Sequence, residues 1–458
     1  MGASVNRRTF LAGTVAALPQ RATGQQSKSK KPNIIFILAD DLGYGDLGCY
    51  GQQRIDTSNI DRLAAEGMRF TDAYAGSTVC APSRSCLMTG KHTGHTRVRN
   101  NSSPSVGRVS LWPSDTTVAE VLRKAGYRTA MIGKWGLGEA GSTGVPTKKG
   151  FDEWFGYLNQ GHAHDFYPEH LWSNDTEVFL RGNRGGARQQ YSHDLFADRA
   201  LDFLDNHADG PFFLYLPFTI PHANNERGRT TGDGMEVPDY GAYGEENWPN
   251  TEKGFAAMVT RMDRDIGCIM AKLKELEIDD DTIVIFSSDN GPHREGGHDP
   301  EFFGSRGGLR GIKRDLYDGG IRVPTIARWP GHIHAGTVSD HPWAFWDLLP
   351  TAAELAGVAS PKDIDGTSIV PTLLGKEQPG PEYLYWEFAR ASVFHQAVRQ
   401  GSWKAVRHGL DNPIELYNLE ADQSESNDVS GQHPELVQQM TEILSRARTE
   451  SEEFPLPS

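Results

Sequence analysis

Asn33-Ile34-Ile35-Phe36-Ile37-Leu38-Ala39-Asp40-Asp41 is an unbroken apolar run, rich in β-branched residues, that ends on two carboxylates. A strand apolar at every position, rather than at alternate ones, predicts burial on both faces, as in a parallel sheet covered by helices on each side. Thr282-Ile283-Val284-Ile285-Phe286-Ser287-Ser288 repeats the pattern far along the chain and ends in Asp289-Asn290-Gly291. Other candidate strands also stop at polar groups: Thr129 to Ile132 at Lys134, Phe212 to Ile220 at His222, and Ile321 to Ala327 after Lys313 and Asp318. Helical patterns lie between them. Thr117 and Glu120 form a capping box ahead of Val118 to Ala125, and Gly126 stands at the stop. Phe255, Met258, Val259, Met262, Ile266, Ile269, Met270 and Leu273 recur at three- and four-residue steps, which predicts a long amphipathic helix.

Strand and helix alternate over residues 32–360, which predicts an α/β domain: a large mixed, mostly parallel sheet sandwiched by helices, with ligands beyond the carboxyl ends of its strands. After Pro361 the texture changes to short candidate strands (Tyr383 to Phe388, Gln396 to Arg399, Trp403 to Val406, Leu416 to Tyr417) and a helix from Pro434 to Arg448. Residues 361–458 thus read as a smaller C-terminal α+β subdomain, an antiparallel sheet plus a helix. At the other end, Arg7-Arg8 and a mildly apolar stretch to Leu18 resemble a twin-arginine export signal, with Ala22-Thr23-Gly24 as a cleavage site. Residues 1–31 are therefore set aside as export signal and linker, and the expected location is periplasmic or extracellular.

The chain has 458 residues with 46 Lys and Arg against 60 Asp and Glu, a formal charge of −14, which excludes a general nucleic-acid binder. Loss of residues 1–24 removes three arginines and no acid, leaving −17. No run of about 18 apolar residues is present to predict a membrane span. Four cysteines are too few for a disulfide framework, so each is judged singly.

Asp40, Asp41, Asp289 and Asn290 bring four oxygen donors to strand ends, a set suited to a hard cation, Ca²⁺ or Mg²⁺. The alternative is that both motifs are ordinary Asx turns. Ser77-Thr78-Val79-Cys80-Ala81-Pro82-Ser83-Arg84-Ser85-Cys86-Leu87-Met88-Thr89-Gly90 places a cysteine just before a Pro-initiated helix, where the dipole and Arg84 would favour thiolate. Read bottom-up, Cys80 is a redox thiol, a structural thiol or a partner for Cys86, while Cys49, Cys86 and Cys268 read as small buried apolar residues.

Cys80-x-Pro82-Ser83-Arg84 followed by Leu87-x-Thr89-Gly90 resembles the formylglycine signature of the sulfatase family. The resemblance extends to Asp40-Asp41, Gly133-Lys134-Trp135, Pro221-His222, Ser288-Asp289-Asn290-Gly291, Gly311 to Lys313, Gly319 to Pro324 and Glu415 to Leu419. It implies an alkaline-phosphatase-like sheet and oxidation of Cys80 to an aldehyde by a formylglycine-generating enzyme. It also implies Ca²⁺ on Asp40, Asp41, Asp289, Asn290 and the modified Cys80. One hydroxyl of the hydrated aldehyde would attack sulfur, and the other would lose its proton as the carbonyl reforms and sulfate leaves. Arg84 would stabilise the hydrate, Lys134 and Lys313 would neutralise the sulfate, and His222 with Lys313 would protonate the departing sugar oxygen.

Gly136 departs from the family pattern, which has a histidine two residues after the lysine; an imidazole from the segment Gln160 to Asp165 is expected to substitute. His162, His164, His293, His298 and Arg310 are candidate sugar-binding donors, joined by Arg294, Arg306 and Arg314, with Trp172 or Trp386 as stacking platforms. Arg306, Arg310 and Arg314, spaced by four, also read as one solvated face. An acidic chain with a local basic pocket predicts a sulfated mono- or oligosaccharide taken at its end, with galactose-type units preferred. The rivals are a formylglycine-dependent phosphodiesterase or phosphonate monoester hydrolase and a catalytically impaired sulfated-glycan binding protein.

Overall fold

Asn33–Ala39 lies near the middle of a ten-stranded sheet in the computed structural model, which describes residues 1–2, 31–390 and 393–456. In spatial order the strands are Thr337–Ser339, Met68–Phe70, Thr325–Arg328, Thr282–Ser288, Asn33–Ala39, Phe212–Pro217, Arg128–Lys134, Glu153–Tyr157, His170–Ser173 and Thr176–Phe179. The five from Thr282–Ser288 to Glu153–Tyr157 are mutually parallel. Their parallel run puts Asp40, Lys134, His222 and Asp289 at one edge, and the pairing of Ala39 with Ser288 sets Asp40 level with Asp289.

The continuous apolar run has a simple cause. Ile35 and Ile37 face one core with Phe255, Met258 and Ile266 of helix Asn250–Glu275, whereas Ile34, Phe36 and Leu38 face a second core with Phe213, Trp343 and Leu349. Two packed faces leave no position on the strand for a polar residue. Ahead of helix Val118–Lys124 the capping box is complete: Thr117 Oγ1 accepts from Glu120 N at 3.2 Å, and Thr117 N donates to Glu120 Oε2 at 2.9 Å. Thr117→Ala is expected to cost about 1–2 kcal/mol, read as a lower urea midpoint at unchanged slope.

Two expected strands differ. The run expected from Ile321 to Ala327 begins as a helical turn, Asp318–Ile321, and the strand Thr325–Arg328 is antiparallel to both its neighbours. The run expected from Phe212 to Ile220 stops at Pro217, so His222 stands five residues beyond the strand. Proline's missing N–H and fixed φ explain the early end.

A four-stranded antiparallel sheet follows, Leu384–Arg390, Val393–Gln400, Trp403–His408 and Glu415–Asn418, with helix Pro434–Arg446 on one face through Met440, Ile443 and Leu444. Its other face packs Trp386, Phe388, Ala397 and Val406 against Tyr74, Val79, Cys86, Leu316 and Ile321. This second sheet therefore backs the segments that carry Cys80 and Lys313. The expected twin-arginine signal lies outside the described residues. Among the described residues no helix is long and apolar enough to cross a membrane.

Candidate active site

Cys80 opens helix Cys80–Thr89, and Arg84, four residues on, shares its face. Both point at the carboxyl edge of the sheet. Cys80 Sγ lies 3.3 Å from Asp40 Oδ1, and Lys134 Nζ lies 2.5 Å from Asp40 Oδ2. Arg84 Nη2 meets Asp289 Oδ2 at 2.7 Å, and its Nη1 donates to Lys134 O at 2.7 Å. On the far side Lys313 Nζ is 2.8 Å from Asp41 Oδ2 and 3.1 Å from His222 Nε2. Asn290 Nδ2 donates to Asp41 Oδ1 at 2.8 Å. All nine groups are buried. Asp41 takes a φ of +68°, a left-handed conformation that a short polar side chain tolerates.

The donor set fits a divalent cation. Oxygen or sulfur atoms of Asp40, Asp41 and Cys80 converge with His222 nitrogen within 4.8 Å, and Asn290 Oδ1 is fully buried with no hydrogen-bond partner. Burial first, and the adjacent Asp40 second, push the Asp289 carboxyl up to about 7 in spite of Arg84. Asp40, despite burial, is held below the ordinary carboxylate range by Lys134, His222 and Arg84.

Cys80 corrects one expectation. Burial and the Asp40 carboxylate push its thiol well above the ordinary value, against the helix dipole and Arg84, so it is a protonated thiol and not a thiolate. Cys86 is buried, but Cys49 is only partly so and Cys268 is exposed, and all four are free.

The histidines separate. His164 stacks on His222 with ring centroids 4.8 Å apart and holds Glu226 at 3.0 Å, which places it beside the cluster. His162 turns instead to Tyr157 and His170. His293 is buried between Pro221 O and the Glu295 N–H. His298 lies flat on Phe255 with centroids 3.9 Å apart and binds Glu252 at 2.7 Å, a core role rather than a sugar contact. Arg310 is likewise spent internally: its Nη1 donates to Tyr417 Oη and Glu425 O while its guanidinium covers Tyr317. No helix joins Arg306, Arg310 and Arg314, so the four-residue spacing is not a face. Arg294 and Arg306 pair with the Asp299 and Glu301 carboxylates at the surface. Trp386 is in the core with Nε1 on Ala75 O, which removes it as a platform; Trp172 remains partly exposed.

Glu295 escaped the sequence reading. Its Oε2 lies 3.4 Å from Lys313 Nζ and 3.7 Å from His222 Nε2, and its other oxygen binds Arg314. The available signal was a single acid inside a stretch of basic residues from His293 to His298.

The sheet and the thiol, lysines and carboxylates gathered at its edge define a hydrolase for an anionic ester. The chain belongs to the sulfatase family, whose members are sulfuric ester hydrolases: the family profile "Sulfatase" matches residues 32–358, and "N-sulphoglucosamine sulphohydrolase, C-terminal" matches residues 311–450. It is 32% identical to human N-acetylgalactosamine-6-sulfatase over 418 residues, covering 85% of this chain and 76% of the relative. It is 30% identical to N-acetylgalactosamine-6-O-sulfatase of Bacteroides thetaiotaomicron over 508 residues, covering 94% and 95%. The crystal structure of Ps i-CgsB superposes with a TM-score of 0.79 at 31% identity over 94% of each chain.

Proposed function

We propose that this protein removes sulfate from galactose-type units, taken as monosaccharides or at the ends of oligosaccharides, after twin-arginine export to the periplasm or beyond. The 6-sulfated N-acetylgalactosamine named for its relatives supports this substrate class. Ps i-CgsB has also been crystallised with k-i-k-neocarrahexaose, a carbohydrate ligand. The observation that carries the reading is Cys80: a buried, protonated thiol stands where a nucleophile is needed, ringed by Asp40, Arg84 and Lys134. As a thiol it is inert, so its use requires conversion.

An aldehyde hydrate made from Cys80 would supply an oxygen nucleophile, and Ca²⁺ held by Asp40, Asp41, Asp289, Asn290 and residue 80 would neutralise charge and ease hydroxyl deprotonation. The protein's own groups do the rest. Arg84, anchored by Asp289, holds its donors one turn from residue 80. Lys134 and Lys313 place two ammonium groups for the sulfate oxygens. Burial works against charge on Lys313, but Asp41 keeps it protonated. His222 donates Nδ1–H to Ala223 O at 2.7 Å, which leaves Nε2 to accept from Lys313. Lys313 is then the proton donor to the departing sugar oxygen, with His222 fixing one of its three N–H groups.

The test is sulfate release from positional sulfate isomers of galactose and N-acetylgalactosamine, with a phosphodiester alongside. The 6-sulfates are expected to turn over fastest, activity to vanish with a chelator and to return with Ca²⁺. Faster phosphodiester hydrolysis overturns the assignment.

A further inference from the structure

Gly136 has no side chain, yet the space beside it is filled. A Cβ placed there would lie 2.2 Å from Gln160 Nε2, so residues 136 and 160 compete for one volume. Gln160 reaches it from the loop after strand Glu153–Tyr157, and Gly136, with a φ of +80°, tolerates the approach. Trp135 turns its ring into the core, with Nε1 on Gly144 O at 2.7 Å. Lys134, two residues before Gly136, puts Nζ on Asp40 and its carbonyl accepts from Arg84 Nη1, so the chain leaves the sheet beside the cluster at this point. His164, four residues beyond Gln160, stacks on His222, so the same loop borders the reaction centre.

Gln160 is 5% exposed, and neither Oε1 nor Nε2 has a hydrogen-bond partner. A buried carboxamide without partners is costly, and native proteins keep few such groups without a use. We infer that Gln160, which fills the space left by Gly136, is a substrate-contacting residue whose Nε2 donates to an oxygen of the bound sulfate group. A carboxamide neither takes nor releases a proton near neutral pH, so it holds and orients and does not serve as a base. It therefore does not replace the proton transfer for which an imidazole was expected.

The inference rests on the sulfatase reading, and the experiment separates the two. Gln160→Met keeps the bulk and removes both polar atoms. In holoenzyme with Cys80 conversion verified by mass, kcat/KM is expected to fall roughly 10- to 100-fold. Inhibition by inorganic sulfate is expected to weaken by a similar factor, while the Tm without sulfate holds or rises. A residue that merely fills space would leave both kcat/KM and sulfate inhibition at wild-type values, and that result overturns the inference. Slower turnover with sulfate inhibition unchanged also overturns it, because a donor to the sulfate must be felt by inorganic sulfate. Should the wild-type enzyme release no sulfate from any ester, the sulfatase reading fails, and sulfate binding alone still tests Gln160. If the methionine variant does not fold, Gln160→Ala carries the same comparison.

Discussion

Cys80→Ala is expected to abolish turnover, a loss of roughly 10⁴-fold or more, while the protein stays folded. The thiol makes one polar contact, to Asp40 at 3.3 Å, and burial there already opposes its ionisation. Removing it takes nothing from the cores on either side of the sheet and costs Asp40 one weak S–H donor. The thermal midpoint is therefore expected to change little. Cys86→Ala is the control: that sulfur is also buried, at 3.5 Å from Gly76 O, but six residues further along the helix. It should retain turnover at some cost in packing. The peptide Phe70 to Arg84 reports directly on the chemistry, since conversion replaces the thiol mass with that of an aldehyde or its hydrate. Unmodified thiol in fully active protein would refute the proposed nucleophile.

What could be read in the sequence follows from locality. The run Ile34 to Ala39 displays its environment in its own residues, because a strand packed on both faces must be apolar throughout, and Asp40 marks where it leaves the sheet. The Thr117–Glu120 box and the Phe255 to Leu273 pattern are local in the same sense, and the structure places helices on both. The roles that misled depend on partners remote in the chain. His298 looks like any rim histidine until Glu252 and Phe255, more than 40 residues away, are seen to enclose it. Arg310 is drawn off by Tyr417 and Glu425, over 100 residues away. The pull of a helix dipole on Cys80 was legible, but the depth of its burial beside Asp40 was not, and burial is the larger effect. The gap at Gly136 and the segment Gln160 to Asp165 were legible, but that the Gln160 carboxamide itself fills the gap depends on how the two loops pack.

Lys404→Met is expected to destabilise the protein by about 3–5 kcal/mol, the cost of stranding buried charge. Lys404 is fully buried in the second sheet and holds Asp318 Oδ1 at 2.7 Å and Glu425 Oε1 at 2.8 Å. Glu425 Oε2 in turn accepts from Asp318 N at 2.6 Å, and Asp318 also binds Tyr74 Oη and Arg322. Methionine matches the stem but leaves two carboxylates without their ammonium. Burial already pushes Glu425 up to about 7, so removal of Lys404 favours protonating it further and deepens the loss as pH rises. Arg446→Ala, which breaks an exposed pair with Glu382, should cost no more than about 1 kcal/mol and sets the scale for a surface ion pair. Adding Asp318→Asn and Glu425→Gln to Lys404→Met should recover part of the stability, because the stranded charges go with their partner. The same variant reaches the chemistry. Asp318 ends the segment that carries Lys313, and Arg310 at its start is tied to Tyr417 and Glu425, so the second sheet clamps that segment at both ends. Loosening the clamp should lower kcat well below the melting temperature, by misplacing the ammonium that meets the departing oxygen. Denaturant midpoints and turnover at a fixed low temperature measure the two effects. If Lys404→Met behaved like Arg446→Ala in both, the clamp would have no part in stability or catalysis.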